Sequence, residues 1–340
     1  MPQTAPFRFQ PHSHSWIALH PKPKGIVQFI GGAFFGTYPT LFYRPLLHKF
    51  YAAGYTVIAL PFRFTFNHWQ IALDLLQEHY CLRYSLIAAA QKKGYETDIY
   101  LDAANYAWLG HSLGCKYIAL LELLSSPQDI FEAYSDGIGI SAKHWTMIQR
   151  SLKNFTRTLR QLETNIQTLI SQPVNYGQPS IYNEASLLLA PTITDLNGAV
   201  PIKSLEKPLS KVLKVSPTTE QTHTLIQRSK LFNVTHMIQF SQDDIARATC
   251  DRLKQEQPHI THTVLPGTHL APLKQRNASQ TELYKKAVSA LDSLQKQLRF
   301  QNVSRRMSVN TPSIDIQTKV LDQPHYAALT NTISPSIFAS

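Results

Sequence analysis

Cysteine is scarce: Cys81, Cys115 and Cys250 are the only three in 340 residues, and they lie far apart. That excludes a disulfide framework and any zinc-ligand spacing, and points to a reducing compartment. Long apolar runs are missing too; none reaches the roughly 18 residues that a membrane-spanning helix needs. The opening residues, MPQTAPFRFQPHSHSW, have neither the charged start and apolar stretch of a secretory signal nor the arginines of a transit peptide. Acidic side chains are the third shortage. Asp and Glu number 22 against 33 Lys and Arg, a formal charge of +11, which favours acidic partners or an anionic membrane surface. The cations read as scattered, and no nucleic-acid module accompanies them, so nucleic acid is not an expected partner. No cofactor is expected either. The segment IGGAFFG (30–36) lacks the GK[ST] ending of a phosphate loop, and no dinucleotide fingerprint occurs. His12 with His14, and His259 with His262, offer no third ligand at a metal-binding spacing.

What the chain does have is a 43% hydrophobic content, a globular level that supports a large core in one α/β domain with an insertion, or in two domains. Its organising stretch is NYAWLGHSLGCKYIALLE, residues 105–122. This reads as a short buried strand (106–109), a tight turn GHSLG (110–114) and a helix from Cys115. The form is G-x-S-x-G with Ser112 at the apex, a nucleophile elbow. Glycines are needed there because a Cβ would collide with the neighbouring strand or helix. The apex places Oγ at a helix N-terminus, where free N–H groups and the helix dipole favour a developing oxyanion. Cys115, just inside the helix, reads as a small buried filler.

The rest of the chain frames that turn. FRFQ and SWIALH pair as an N-terminal antiparallel hairpin, GIVQFI (25–30) and TVIALPF (56–62) are buried strands, and 39–53 and 67–93 are helices closed by Gly54 and Gly94. A further strand is expected over 136–142, DGIGISA. Strands then alternate with helices, which predicts a parallel sheet covered on both faces. The alternation stops at 143. Residues 143–170 are helical, 171–216 are rich in Pro and Ser, and 216–231 are helical again, so 143–230 is expected to form a lid over the sheet. THMIQF (235–240) and HITHTVLPG (259–267) resume the strands, separated by a helix over 243–257, and 281–300 closes the core as an amphipathic helix. The expected organisation is thus a core of 1–142 and 231–300, a lid of 143–230, and a disordered tail of 301–340.

A serine becomes a nucleophile only when a base takes its proton and a carboxylate orients the base. The order Ser, acid, His of α/β-hydrolases is filled here by residues at the ends of strands. FSQDDI offers Asp243 or Asp244, of which Asp244 is favoured for its spacing after Ser241, and PGTH delivers His269. The oxyanion donors are expected from Leu113, the residue after the nucleophile, and from Gly32, Ala33 or Phe34 in the loop after the first central strand. Phe34, Phe35 and Tyr38, with His111, are the expected pocket lining.

Taken together, the blocks FIGGAFFGTYPTLFYRPLL, GYTVIALPF with FNHWQIA, LGHSLGCK, VSPTTEQT, FSQDDIA and LPGTHLAP resemble an uncharacterised α/β-hydrolase-like family of cyanobacteria and plastids, domain of unknown function 1350. The resemblance runs over about residues 15–295. It implies the α/β-hydrolase fold, a mostly parallel central sheet with helices on both faces and a helical lid, and it places Ser112, His269 and an Asp243/Asp244 acid at the family's motif positions. The expected function is a serine hydrolase cleaving an ester or thioester of a small acyl compound, lipid- or pigment-derived. An acyltransferase on the same triad and a non-catalytic scaffold for a protein partner are the alternatives. Expected location is the cytoplasm, or the stroma in a plastid-bearing source, with peripheral contact to an anionic membrane.

Overall fold

A computed structural model describes residues 6–182, 184–193, 215–273 and 278–310. The chain forms two compact units, 1–302 and 303–340, and the sheet and site lie in the first.

Eight strands make one sheet: β1 (Gln10–His12), β2 (Ser15–Ala18), β3 (Gly25–Ile30), β4 (Tyr55–Ala59), β5 (Tyr106–His111), β6 (Ala185–Leu189), β7 (Thr235–Phe240) and β8 (Thr261–Leu265). Their order is β1-β2-β4-β3-β5-β6-β7-β8. The first two form the expected antiparallel hairpin, β2 runs antiparallel to β4, and every other pairing is parallel. All residues of β3, β4, β5 and β6 are buried, as continuous apolar strands must be when helices cover both faces of a parallel sheet.

The helices are α1 (Pro39–Phe42), α2 (Arg44–Ala52), α3 (His68–Lys92), α4 (Leu113–Leu124), α5 (Gln128–Ser135), α6 (Ala142–Ile170), α7 (Thr219–Arg228), α8 (Arg247–Glu256) and α9 (Ala278–Asn310). Capping explains several boundaries. Asn67 Oδ1 accepts from the Gln70 amide to start α3, and Gly94, at φ 66°, closes it in the left-handed conformation that favours glycine. Thr218 and Gln221 form a capping box at α7. Every residue of α4 is buried, including its two charged ones: Lys116 donates to the Pro217 carbonyl and Glu122 accepts from the Phe232 amide.

Two expectations need correction. Residues 136–142 are not a strand: Gly137 and Gly139 adopt φ of 68° and 77°, which turn the chain instead of extending it. The missing parallel strand is β6, ASLLL, between β5 and β7 and inside the expected lid. The segment 143–230 is therefore not one insertion; it contains a central strand and the core helix α7, whose Leu225 and Ile226 are fully buried. Residues 194–214 of that segment, and 311–340 of the expected tail, lie outside the described residues, while 301–310 are helical.

The basic residues are also less scattered than the sequence suggests. Lys143, Arg150, Lys153, Arg157 and Arg160 on α6 recur at helical spacing, share its exposed face and pair with no acidic group among the described residues. The opposite face buries Ile148, Phe155, Leu159 and Ile166.

Candidate active site

Ser112 follows β5 directly and starts α4, with φ 54° and ψ −120°, a region an L-residue occupies only when its surroundings force it. Two glycines make the turn possible. A Cβ on Gly114 would lie 2.2 Å from the Ile30 carbonyl oxygen, and one on Gly110 would lie 3.1 Å from the Cys115 backbone. Hydrogen bonds from the Ser112 amide to Leu189 O (3.0 Å) and from the Thr192 amide to Ser112 O (3.2 Å) tie the elbow to the end of β6.

Three side chains converge there from three strand ends. His269, four residues past β8, faces Ser112 Oγ with Nε2 at 2.8 Å and Asp243 Oδ2 with Nδ1 at 2.9 Å. Carboxylate oxygen only accepts, so Nδ1 carries the proton and Nε2 presents its lone pair to the serine hydroxyl. The other Asp243 oxygen accepts from the amides of Ile245 and Ala246, each at 3.0 Å. Burial works to raise the Asp243 carboxyl, but the hydrogen bond and charge of His269, with those two amides, outweigh it and hold it below the ordinary carboxylate range.

Preference for Asp244 as the acid is thus corrected. Its side chain is 89% exposed and pairs with Arg247 at 2.7 Å, while Asp243 is 1% exposed and points inward. The physical reason is the turn after β7: Asp243 caps the turn to Ala246 with one oxygen and keeps the other for His269.

Among the oxyanion candidates, the Gly32 amide is already committed, donating to Tyr43 Oη at 2.9 Å. The Ala33, Phe34 and Leu113 amides donate to no described residue. Leu113 is the first residue of α4, where the N–H has no intrahelical partner. The loop does reach the serine: a Cβ on Gly32 would sit 3.1 Å from Ser112 Cβ.

The expected pocket lining separates. Phe34, at φ 61° and 40% exposed, stacks on Phe64 (4.9 Å), a residue the sequence offered no reason to single out. Phe35 packs edge-on against Phe42, and Tyr38 is exposed. His111 is not a pocket residue. It is 1% exposed and held between Tyr43 Oη (Nδ1, 2.8 Å) and the His269 carbonyl (Nε2, 2.9 Å). Cys115 is a buried filler whose thiol burial pushes far above its usual range. His12 and His14 lie on the β1–β2 hairpin at one sheet edge, and His259 and His262 beside and on β8 at the other.

A mixed sheet in this strand order, with a serine elbow after β5, an aspartate after β7 and a histidine after β8, is an α/β-hydrolase fold. Within that class, residues 9–174 match the family described as "Protein of unknown function (DUF1350)", the one its sequence blocks resemble. No curated protein matches the chain in sequence. Among solved structures, esterase B from Lactobacillus rhamnosis is similar at 13% identity and a TM-score of 0.48, covering 86% of this chain and 83% of that one. Thermophilic esterase Est2 of the Planctomycetes species Thermogutta terrifontis, with propionate bound, is similar at 12% identity and a TM-score of 0.48, over 87% and 96%. A sugar hydrolase (YeeB) from Lactococcus lactis is similar at 13% identity and a TM-score of 0.44, over 86% and 97%.

Proposed function

We propose that the chain is a serine hydrolase that cleaves an ester or thioester through Ser112, His269 and Asp243. The observation that carries this reading is the unbroken line Ser112 Oγ–His269 Nε2 (2.8 Å) and His269 Nδ1–Asp243 Oδ2 (2.9 Å). His269 takes the hydroxyl proton as Ser112 Oγ attacks the acyl carbon, and Asp243 stabilises the imidazolium. The Leu113 and Ala33 amides are the donors for the tetrahedral oxyanion, Gly32 being occupied. His269 then returns the proton to the leaving alcohol or thiol, and a water, deprotonated by the same imidazole, releases the acid.

A groove of about 740 Å³ lies between the β1–β2 hairpin and α3, with Ser15, Leu60, Phe62, Ile71, Leu75 and Glu78 among its walls; Ser112, Leu113 and His269 do not line it. Fluorophosphonate probes report an activated serine whatever the substrate. Wild type should label, and Ser112→Ala and His269→Ala should not. A folded wild type that resists the probe would sink the enzyme reading and leave the non-catalytic scaffold.

The expected membrane contact belongs, in the same proposal, to the cationic face of α6, with an anionic lipid bilayer as its partner. No described helix is long and apolar enough to cross a membrane. Each cation near an anionic surface contributes about 1 kcal/mol. Replacing Arg150, Lys153, Arg157 and Arg160 together by Ala should therefore weaken co-sedimentation with anionic vesicles by roughly 10²–10³-fold. Equal binding to neutral vesicles, or preference for duplex DNA over vesicles, would reject a lipid partner.

A further inference from the structure

Behind Ser112 lies a second set of hydrogen bonds that the triad does not use. His111 is fully enclosed, and its two ring nitrogens have one partner each: the Tyr43 hydroxyl at 2.8 Å and the His269 carbonyl at 2.9 Å. A carbonyl has no proton to give, so His111 Nε2 must carry the hydrogen. Its Nδ1 is then a lone pair, and the Tyr43 O–H must donate to it. That leaves the Tyr43 oxygen to accept from the Gly32 amide at 2.9 Å, as the geometry places it. Each donor in this chain has an acceptor, and the direction is fixed from end to end: Gly32 N–H to Tyr43, Tyr43 O–H to His111, His111 Nε2–H to His269 C=O.

Three members of that chain adjoin three parts of one reaction centre. Gly32 immediately precedes Ala33 in the oxyanion loop, His111 immediately precedes the nucleophile, and the His269 carbonyl belongs to the base itself. We infer that Tyr43 and His111 are positioning residues, a buried relay that holds the oxyanion loop, the nucleophile and the base in register. The inference rests on the hydrolase reading for its purpose, but not for the hydrogen-bond order.

Packing supports the assignment. Tyr43 has no exposed surface and lies against Phe29 of β3 at 4.6 Å, so its hydroxyl has little freedom to turn elsewhere. Gly31 and Gly32 are the residues that let the loop come this close: their Cβ atoms would stand 2.8 Å from the Tyr43 ring and 3.3 Å from its hydroxyl. A gap of even half an ångström at such a site costs rate, because the donors must meet the developing charge without rearranging. Neutrality of His111 is equally required. Its ring centre is 5.1 Å from that of His269, which must become positive during turnover. Burial first, then the charge of His269, push His111 down to about 3, against the opposing effects of the His269 carbonyl and Asp243. A second cation therefore does not form beside the base at neutral pH.

The experiment combines a spectrum with a rate. In ¹⁵N spectra of histidine-labelled wild type, one ring, identified by its loss in His111→Gln, should be neutral with the proton on Nε2 at pH 7. In Tyr43→Phe its Nδ1 signal should move, since the hydroxyl that bonds it is gone. Tyr43→Phe should slow fluorophosphonate labelling roughly tenfold to a hundredfold, the range expected when buried polar groups lose a partner. His111→Asn keeps an acceptor toward Tyr43, and His111→Gln keeps a donor toward the His269 carbonyl, so each should retain part of the rate. Tyr43→Phe/His111→Gln should be slower than the worse single variant by much less than the product of the two effects, because both break one chain. An Nδ1–H tautomer at His111 would overturn the relay. Labelling of folded Tyr43→Phe at the wild-type rate, or multiplicative effects in the double variant, would overturn its positioning role. A wild type that never labels would remove the hydrolase reading and that role together, with the spectrum still deciding the hydrogen-bond order.

Discussion

Asp243→Asn is expected to lower ester hydrolysis and fluorophosphonate labelling by roughly 10³–10⁴-fold, and Asp244→Asn by less than about threefold. The two residues are neighbours of the same type, so the contrast tests geometry and not composition. Asp243 Oδ2 holds the Nδ1–H of His269 at 2.9 Å, which leaves the Nε2 lone pair facing Ser112. An asparagine there can present its NH₂ to Nδ1, which favours the tautomer with the proton on Nε2, where it cannot serve as a base. Asp244 faces solvent and Arg247, and an exposed pair of this kind contributes little. Acid should act on the same group. The folded carboxyl sits below its ordinary 3.8, so its contribution to stability is complete above that pH and fades as pH falls through the lower folded value. Equal losses in both variants, measured as kcat/KM or as labelling rate, would remove Asp243 from the triad.

That contrast also marks where sequence reasoning stopped. Two adjacent aspartates after a strand carry no pattern that separates them; the turn to Ala246, set by tertiary packing of β7 and α8, decides which one faces inward. Ser112 was legible because it follows a clear apolar strand, and His269 because it is the one histidine in the PGTH turn that follows β8, although β8 itself, THTVL, is half polar and mostly exposed. The first strands were legible for the same reason as Ser112: GIVQFI and YAWLGH are short apolar runs with sharp ends, and the long helices α3 and α6 show their periodicity and caps. β6 was not. ASLLL is five residues between polar, proline-rich flanks, and nothing local distinguishes a central strand from a buried loop segment. DGIGIS failed in the opposite direction, since alternating Ile imitates a strand while its two glycines take positive φ. Tyr43 and its bond to His111 had no sequence signal at all. YRPLL reads as the face of a helix, and only the folded β3 loop brings the Gly32 amide to that hydroxyl.

Glu184→Gln is expected to cost roughly 3–5 kcal/mol, because it strands a buried guanidinium. Glu184 and Arg83 are each 1% exposed at the side chain, with Arg83 Nη2 donating to Glu184 Oε1 at 3.0 Å. The other Glu184 oxygen accepts from Trp108 Nε1 of β5 at 2.8 Å. His79 of α3 donates from Nδ1 to Gln28 of β3 at 2.7 Å, so its Nε2 accepts from Arg83 at 3.0 Å. Arg83 also lies over the rings of Tyr106, Tyr176 and Tyr80, at 4.3, 4.8 and 4.9 Å. The carboxylate thus ties α3 and β5 to the start of β6, and His79 extends the network to β3; β3 and β5 are the strands that lead into the oxyanion loop and the elbow. Removing its charge leaves Arg83 ionised in a dry interior, since a guanidinium does not give up its proton. At about 1.6 °C per kcal/mol for a unit of some 300 residues, the melting temperature should fall by roughly 5–8 °C. Arg83→Met with Glu184→Leu removes both charges and should recover part of that loss, because an apolar pair carries no uncompensated ion. Below its melting temperature Glu184→Gln should still label with fluorophosphonate, as the network does not touch Ser112. A loss under about 1 kcal/mol would mean that water or another group already compensates Arg83, and that the clamp on β5 comes from apolar packing alone.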